Sequence, residues 1–219
     1  EIFGRTVLLA AIVTLIDIVL AFPLAWFAAR VIGPRWRTVA FMLVVVPLWS
    51  SLLVRLFAWR TILGSQGVLN QVLIDLGILS TPSSAFLYNE KAIALTWAYV
   101  WLPFMVLPIF TALEKIPDSF LEASRDLGGS AFTTFRRVVL PLAFPGIVAG
   151  SIFVFALSMG DFVAPQLVGG GEQVLGSAIK DRFGVAADFP FGAALATLTL
   201  VTLMGFLALS RRTGAMENL

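Results

Sequence analysis

Two residue types central to enzyme chemistry are missing from this 219-residue chain: cysteine and histidine. Without cysteine there is no disulfide framework, metal thiolate or thiol nucleophile. Without histidine the usual general base, Ser-His-Asp catalysis and the commonest zinc ligand are gone too. A phosphate-cradling Gly-x-x-x-x-Gly-Lys-Ser/Thr is also absent, so the chain supplies no nucleotide loop of its own. Charged residues make up only 13% of the chain, about half the share of a soluble domain. They form no basic stripe with interleaved aromatics, which excludes nucleic acid as a partner.

What is present is apolar. Hydrophobic residues reach 59% and the mean hydropathy is +0.95. Runs at about 6–29, 38–59, 92–113, 138–160 and 189–210 each supply the roughly 20 residues a bilayer-crossing helix needs. Lipid offers no partner to an open backbone, so the predicted fold is an all-α transmembrane bundle, a single domain over 1–219. The first run is too long for a signal peptide and ends in Arg30 rather than at a small-residue cleavage site.

Basic residues set the orientation. Arg30, Arg35, Arg37, Lys115, Arg125, Arg136, Arg137, Arg211 and Arg212 collect on one side; Arg5, Arg60, Lys91, Lys180 and Arg182 lie on the other. The first side is therefore cytoplasmic and includes the C-terminus. That leaves Glu1, which is not a Met, outside the membrane, and a sixth, upstream span is expected to precede it. In the outer loops, amphipathic pieces are expected at about 69–76 and 175–183, either as a docking rim for an external partner or as ordinary loop packing.

The cytoplasmic loop after the third run is the most informative segment. Pro117 stops the preceding helix, and Asp118 or Ser119 can cap a short amphipathic one. Phe120, Leu121, Ser124 and Leu127 are spaced for an apolar face, leaving Glu122, Arg125 and Asp126 outward. Gly128-Gly129 supplies a positive-φ end, Ser130 can cap a second helix, and Leu140-Pro141 marks the turn into the next span. Two acids and one base suit a protein partner better than an anionic leaflet. Such a charged crossbar between two spans is a place to push on both.

The pattern Glu122-Ala123-Ser124, three residues, Gly128, nine residues, Val138, one residue, Leu140-Pro141 resembles the coupling-helix signature of type I ABC-importer permeases. Ser124 and Val138 replace the usual Ala and Ile. Further segments, including Val46-Pro47-Leu48-Trp49-Ser50-Ser51, Leu102-Pro103-Phe104-Met105 and Gly160-Asp161-Phe162-Val163-Ala164-Pro165, are similar to the spermidine/putrescine permease subfamily. The resemblance implies coupling helices at about 118–137 that dock two cytoplasmic ATPase subunits. It further implies a second permease subunit in a heterodimer, an extracytoplasmic solute-binding protein, and surrounding membrane lipid in a bacterial inner membrane. ATP and magnesium would be used by the ATPase subunits, with no cofactor bound by this chain and no catalysis of its own. Opines, phosphonates and other small organic ions are alternative cargoes.

Several residues stand out along the spans. Asp17 lies at membrane depth, either on the solute path or in a packed polar contact with Thr14. Asp161, at the outer end of the fourth run, either attracts a cation or caps a loop. Trp49, just after the helix-loosening Pro47, is a candidate for the path. Trp97, Tyr99 and Trp101 alternate too closely to share one helical face; they form either an aromatic box for an ammonium group or ordinary packing. Gly146 and Gly150, four apart, predict close helix contact. A passive channel and a carboxylate enzyme are the rival classes. The long crossbar argues against the first, and the different depths of Asp17 and Asp161 against the second.

Overall fold

Proline, glycine and serine, rather than polarity, decide where these apolar helices stop. The structure, a computed structural model, describes residues 1–212, so the C-terminus at 213–219 lies outside the described residues. Helix α1 (Ile2–Trp26) continues through a π-helical turn, Phe27–Val31, into one 30-residue run. At 1.5 Å per residue that is roughly 45 Å, enough to cross a bilayer and emerge. α5 (Glu90–Glu114) starts at Asn89, whose side chain accepts from the Ala92 amide. α8 (Leu140–Gly160) is preceded by α7 (Ala131–Thr134) and a second π-helical turn, Phe135–Val139.

α1, α5 and α8 form the core. Val13, Ala21 and Ala25 of α1, Trp97, Met105 and Ile109 of α5, and Ala143 and Val154 of α8 are all buried in it. α1 and α5 run parallel, with Arg5 paired to Glu90 at 2.7 Å at one end and Arg30 donating to the Leu113 carbonyl at 2.5 Å at the other. α8 runs against both. Its Gly146 and Gly150 meet α5 of the same chain: a Cβ on Gly146 would lie 2.5 Å from the Pro108 carbonyl oxygen, and one on Gly150 2.6 Å from Met105 Sδ. Close backbone approach of this kind is what holds helices together where water is not available to drive them. α11 (Phe189–Arg212) is an outrigger, mostly exposed and anchored by the Phe155–Phe206 stack at 4.6 Å.

Four of the five expected spans are single helices; the second is not. In place of a continuous 38–59 helix there are α2 (Pro34–Trp49) and α3 (Leu52–Leu63), and the pair Arg35–Trp49 and Leu52–Asp75 is bent by 91°. Pro47 has no amide hydrogen, so the ladder is already weakened there. Ser50 then takes up an extended conformation and turns both its amide (3.2 Å) and its hydroxyl (2.7 Å) back onto the Pro47 carbonyl. Ser51 is extended as well, and α3 leaves in a new direction.

The fourth span also differs. It begins at Ala131 rather than near 138, and there is no turn at Leu140-Pro141. The π-helical turn Phe135–Val139 absorbs the missing donor of Pro141, so the second coupling segment runs straight into the membrane helix. At the opposite end of the molecule, α4 (Val68–Asp75), α9 (Val163–Val168) and α10 (Leu175–Phe183) pack over the core; α4 and α10 match the two expected loop helices closely.

Candidate coupling loop and solute path

α6 (Asp118–Asp126) crosses the basic end of the bundle and buries none of its residues. The expected side-chain cap is not formed. Pro117 occupies the cap position and Asp118 is the first helical residue, where its charge favours the helix N-terminus. The Asp118 carboxylate pairs with Arg30 at 2.7 Å. The expected apolar face is only half covered: Leu121 and Ser124 turn partly inward, whereas Phe120 and Leu127 are exposed. The Ser124 hydroxyl is 2.8 Å from that of Thr134, tying α6 to α7, a bond that the usual Ala cannot make.

The end of α6 closes as its glycines dictate. Gly128 has φ +76°, its amide donates to the Arg125 carbonyl, and the Gly129 amide donates to that of Ser124, both at 2.8 Å. This is the paired closure in which a left-handed residue satisfies the last carbonyls. Gly129 matters for another reason: a Cβ there would lie 2.6 Å from the Ser124 carbonyl oxygen. Glu122, Ala123, Arg125 and Asp126 are all exposed. Beside them a groove of about 530 Å³ is lined by Phe120, Ala123, Leu127, Val138, Pro141 and Leu142. An uncovered apolar groove rimmed by charges is the surface a protein partner needs.

The path candidates separate into two groups. Trp49, at the elbow between α2 and α3, is 86% exposed. Tyr99 is 43% exposed and lies 5.3 Å from Trp59, ring to ring. Trp97 and Asp161 instead face each other inside the chain. Trp97 Nε1 donates to Asp161 at 2.6 Å, and the same carboxylate accepts from the Val163 and Ala164 amides at 2.9 and 3.2 Å. Asp161 is only 8% exposed, so it caps α9 rather than opening onto the outer mouth. Trp101 packs against Phe104, and the three alternating aromatics do not form a box. Asp17 is buried with neither carboxyl oxygen partnered, because Thr14 donates to the Ala10 carbonyl at 2.7 Å instead.

The Asp161 arrangement predicts a sharp contrast. Asp161→Ala leaves the buried Trp97 Nε1 and two α9 amides without acceptors, at a cost of about 3 kcal/mol. The unfolding midpoint of the purified protein, followed by tryptophan fluorescence, is expected to fall by about 6–12 °C. Asp161→Asn keeps one acceptor oxygen and should fall less. An unchanged midpoint for the alanine variant would refute the capping role.

Two positioning residues escaped sequence reasoning. Arg5 figured only as an outer charge, yet it joins Glu90 at 2.7 Å, Glu172 at 2.5 Å and the Gln173 carbonyl at 3.2 Å. Arg30 enters the sequence reading as a cytoplasmic charge and as the end of the first run, yet its guanidinium reaches across to α5 and α6. Partners 83 to 168 positions away leave no local signal.

The chain is a helical membrane protein with an exposed crossbar at its basic end, and the family match supplies its role. Residues 5–213 match the binding-protein-dependent transport system inner membrane component family, and the chain belongs to it. It is a permease subunit of an ABC importer, spanning a bacterial inner membrane several times. Among its relatives is the inner membrane ABC transporter permease protein YdcU of Escherichia coli K12, 38% identical over all of this chain and 73% of that protein. The spermidine/putrescine transport system permease protein PotB of the same strain is 38% identical over 95% of this chain and 75% of PotB. The fold is also that of a bacterial alginate ABC transporter solved with an alginate pentasaccharide-bound periplasmic protein. That match has a TM-score of 0.75 at 16% identity, over 95% of this chain and 75% of the other.

Proposed function

We propose that this chain, paired with a second and different permease subunit, forms the path by which a polyamine of the spermidine or putrescine type enters the cell. The 38% identity to PotB along 95% of the chain carries the cargo assignment. Two ATPase subunits grip the exposed surface of α6 and the adjoining groove, and their ATP and magnesium supply the energy; the chain itself holds no cofactor. The basic end, and with it the C-terminus, faces the cytoplasm. A solute-binding protein docks on the opposite end; the alginate transporter of the same fold was solved in complex with a periplasmic protein.

Transport requires that the ATPase grip differ between two arrangements of the spans, since a partner that binds both equally shifts neither. In this reading α6 is pushed, and the core helices tilt until the path opens to the other side. Trp49 and the Tyr99–Trp59 pair offer aromatic faces to an alkylammonium chain, each contact worth about 0.5–2 kcal/mol. Asp17 joins the path only when α1 shifts against α5. Trp97 and Asp161 hold the outer ends of α5, α8 and α9 in register while this happens.

Uptake of radiolabelled putrescine and spermidine into proteoliposomes holding the complete complex tests the reading. Uptake is expected to need internal or external ATP on the ATPase side, and to need the binding protein. Flux without ATP would establish a passive channel instead. Uptake of a labelled phosphonate or opine in the same assay, with neither polyamine accumulating, would move the cargo to those solutes.

A further inference from the structure

Arg30 sits on the last turn of the α1 run, in the π-helical stretch Phe27–Val31, where the Ile32 amide reaches back to the Phe27 carbonyl at 3.1 Å. Its side chain is 11% exposed. One terminal nitrogen donates to the Leu113 carbonyl at 2.5 Å and to the Ile116 carbonyl. The other donates to Asp118 at 2.7 Å. Leu113 belongs to the last turn of α5, Ile116 to the connection, and Asp118 opens α6. A single guanidinium therefore spans the α5–α6 joint from both sides.

Few other contacts brace that joint. Pro117, between the two helices, has no amide hydrogen to give; Ile116 is buried in the core, but no residue of α6 is fully buried, and α6 is held besides by the partial packing of Leu121 and the Ser124–Thr134 bond. Five donors in a rigid fork suit the task, and a positive charge at the negative end of α5 is favourable there. The two carbonyl contacts are sheltered from water, whereas Asp118 is 81% exposed, so its pairing is the more screened of the bonds. The π-helical turn carries this side chain. It inserts an additional residue into the turn, as such turns do at working positions.

We propose that Arg30 is a positioning residue that makes the basic end of α1 follow α6 when the ATPase subunits move it. This rests on α6 being the ATPase handle. Without the clamp, α6 still swings about Pro117, but α1, and with it the core, stays behind.

This sequence contains no cysteine, so single labels can be placed on it in complexes whose partner subunits are made cysteine-free. Full complexes in lipid nanodiscs carry labels at exposed Leu209 on α11 and at either Ser119 on α6 or Val31 beyond Arg30. Distances are measured by pulsed electron paramagnetic resonance without nucleotide and after trapping with ATP and vanadate. In the wild type both pairs are expected to shift on trapping. In Arg30→Gln the Ser119–Leu209 shift persists and the Val31–Leu209 shift is lost; Arg30→Lys, which keeps one charged donor, restores part of it. A wild-type Val31 shift in Arg30→Gln overturns the proposal. Should that variant fail to assemble, Asp118→Asn removes only the screened contact: a reduced Val31 shift supports the clamp and an unaltered one overturns it. No Ser119 shift in the wild type would instead strike at the ATPase handle.

Discussion

Recovery of the ATPase subunit with Glu122→Lys is expected to collapse while the variant itself accumulates and folds normally. Glu122 projects from a helix that buries none of its residues, so nothing inside the chain registers the change. At an interface, setting a lysine where a carboxylate is paired costs about 2–5 kcal/mol. That corresponds to roughly a thirty-fold or greater loss of affinity. Gly128→Asp reaches the same result by another route. Its Cβ meets nothing within 4 Å, so space is not the obstacle. The obstacle is φ +76°, which costs an L-residue about 1–2 kcal/mol, and a negative charge placed at the negative end of α6. Affinity capture of the complex from detergent reads both. Recovery equal to wild type in both variants would mean that α6 is not the handle.

The second large effect lies inside the bundle. Gly146→Ala puts a methyl 2.5 Å from the Pro108 carbonyl oxygen and 2.7 Å from the Ala112 Cβ, closer than real Cβ atoms come to anything. The first of these is backbone and cannot rotate away, so α5 and α8 must part. Overpacking costs about 1–3 kcal/mol even where side chains can yield, and the upper end applies here. The expected result is a sharp loss of the monodisperse peak in size-exclusion chromatography after mild heating. Gly150→Ala should cost less, because its nearest neighbour is the sulfur of Met105, a side chain that can turn. Gly205→Ala in α11 is the control: nothing lies within 4 Å, and alanine is the better helix former there. Equal behaviour of Gly146→Ala and Gly205→Ala would refute the seam.

These two sites were legible in the chain because their signals are local. Gly-Gly after a charged amphipathic stretch announces where α6 ends, and a four-residue glycine spacing announces a helix seam. The seam's partner was not legible; α5 rather than another subunit meets it. The elbow was half legible. Pro47 marks a weak point, but 38–59 reads as one apolar run, and two serines are not strong breakers on their own. The inward turn of Asp161 depends on Trp97, 64 positions away, so its spacing alone leaves both capping and cation attraction open, and the attraction reading is the one that the structure does not follow. The π-helical turns that carry Arg30 and absorb Pro141 have no sequence signature, since each is a single added residue in an otherwise regular coil.

The elbow also determines which neighbours this subunit tolerates. Ser50 and Ser51 interrupt the ladder part-way along an apolar run, and the carbonyls freed around them have no donor to spare among hydrocarbon tails. Acyl chains are therefore shut out of that flank, which must be bathed by water or sealed by a sister protein. The unbroken coil of α11 has no such restriction, so the annulus of lipid hugs that edge and stops short of the other.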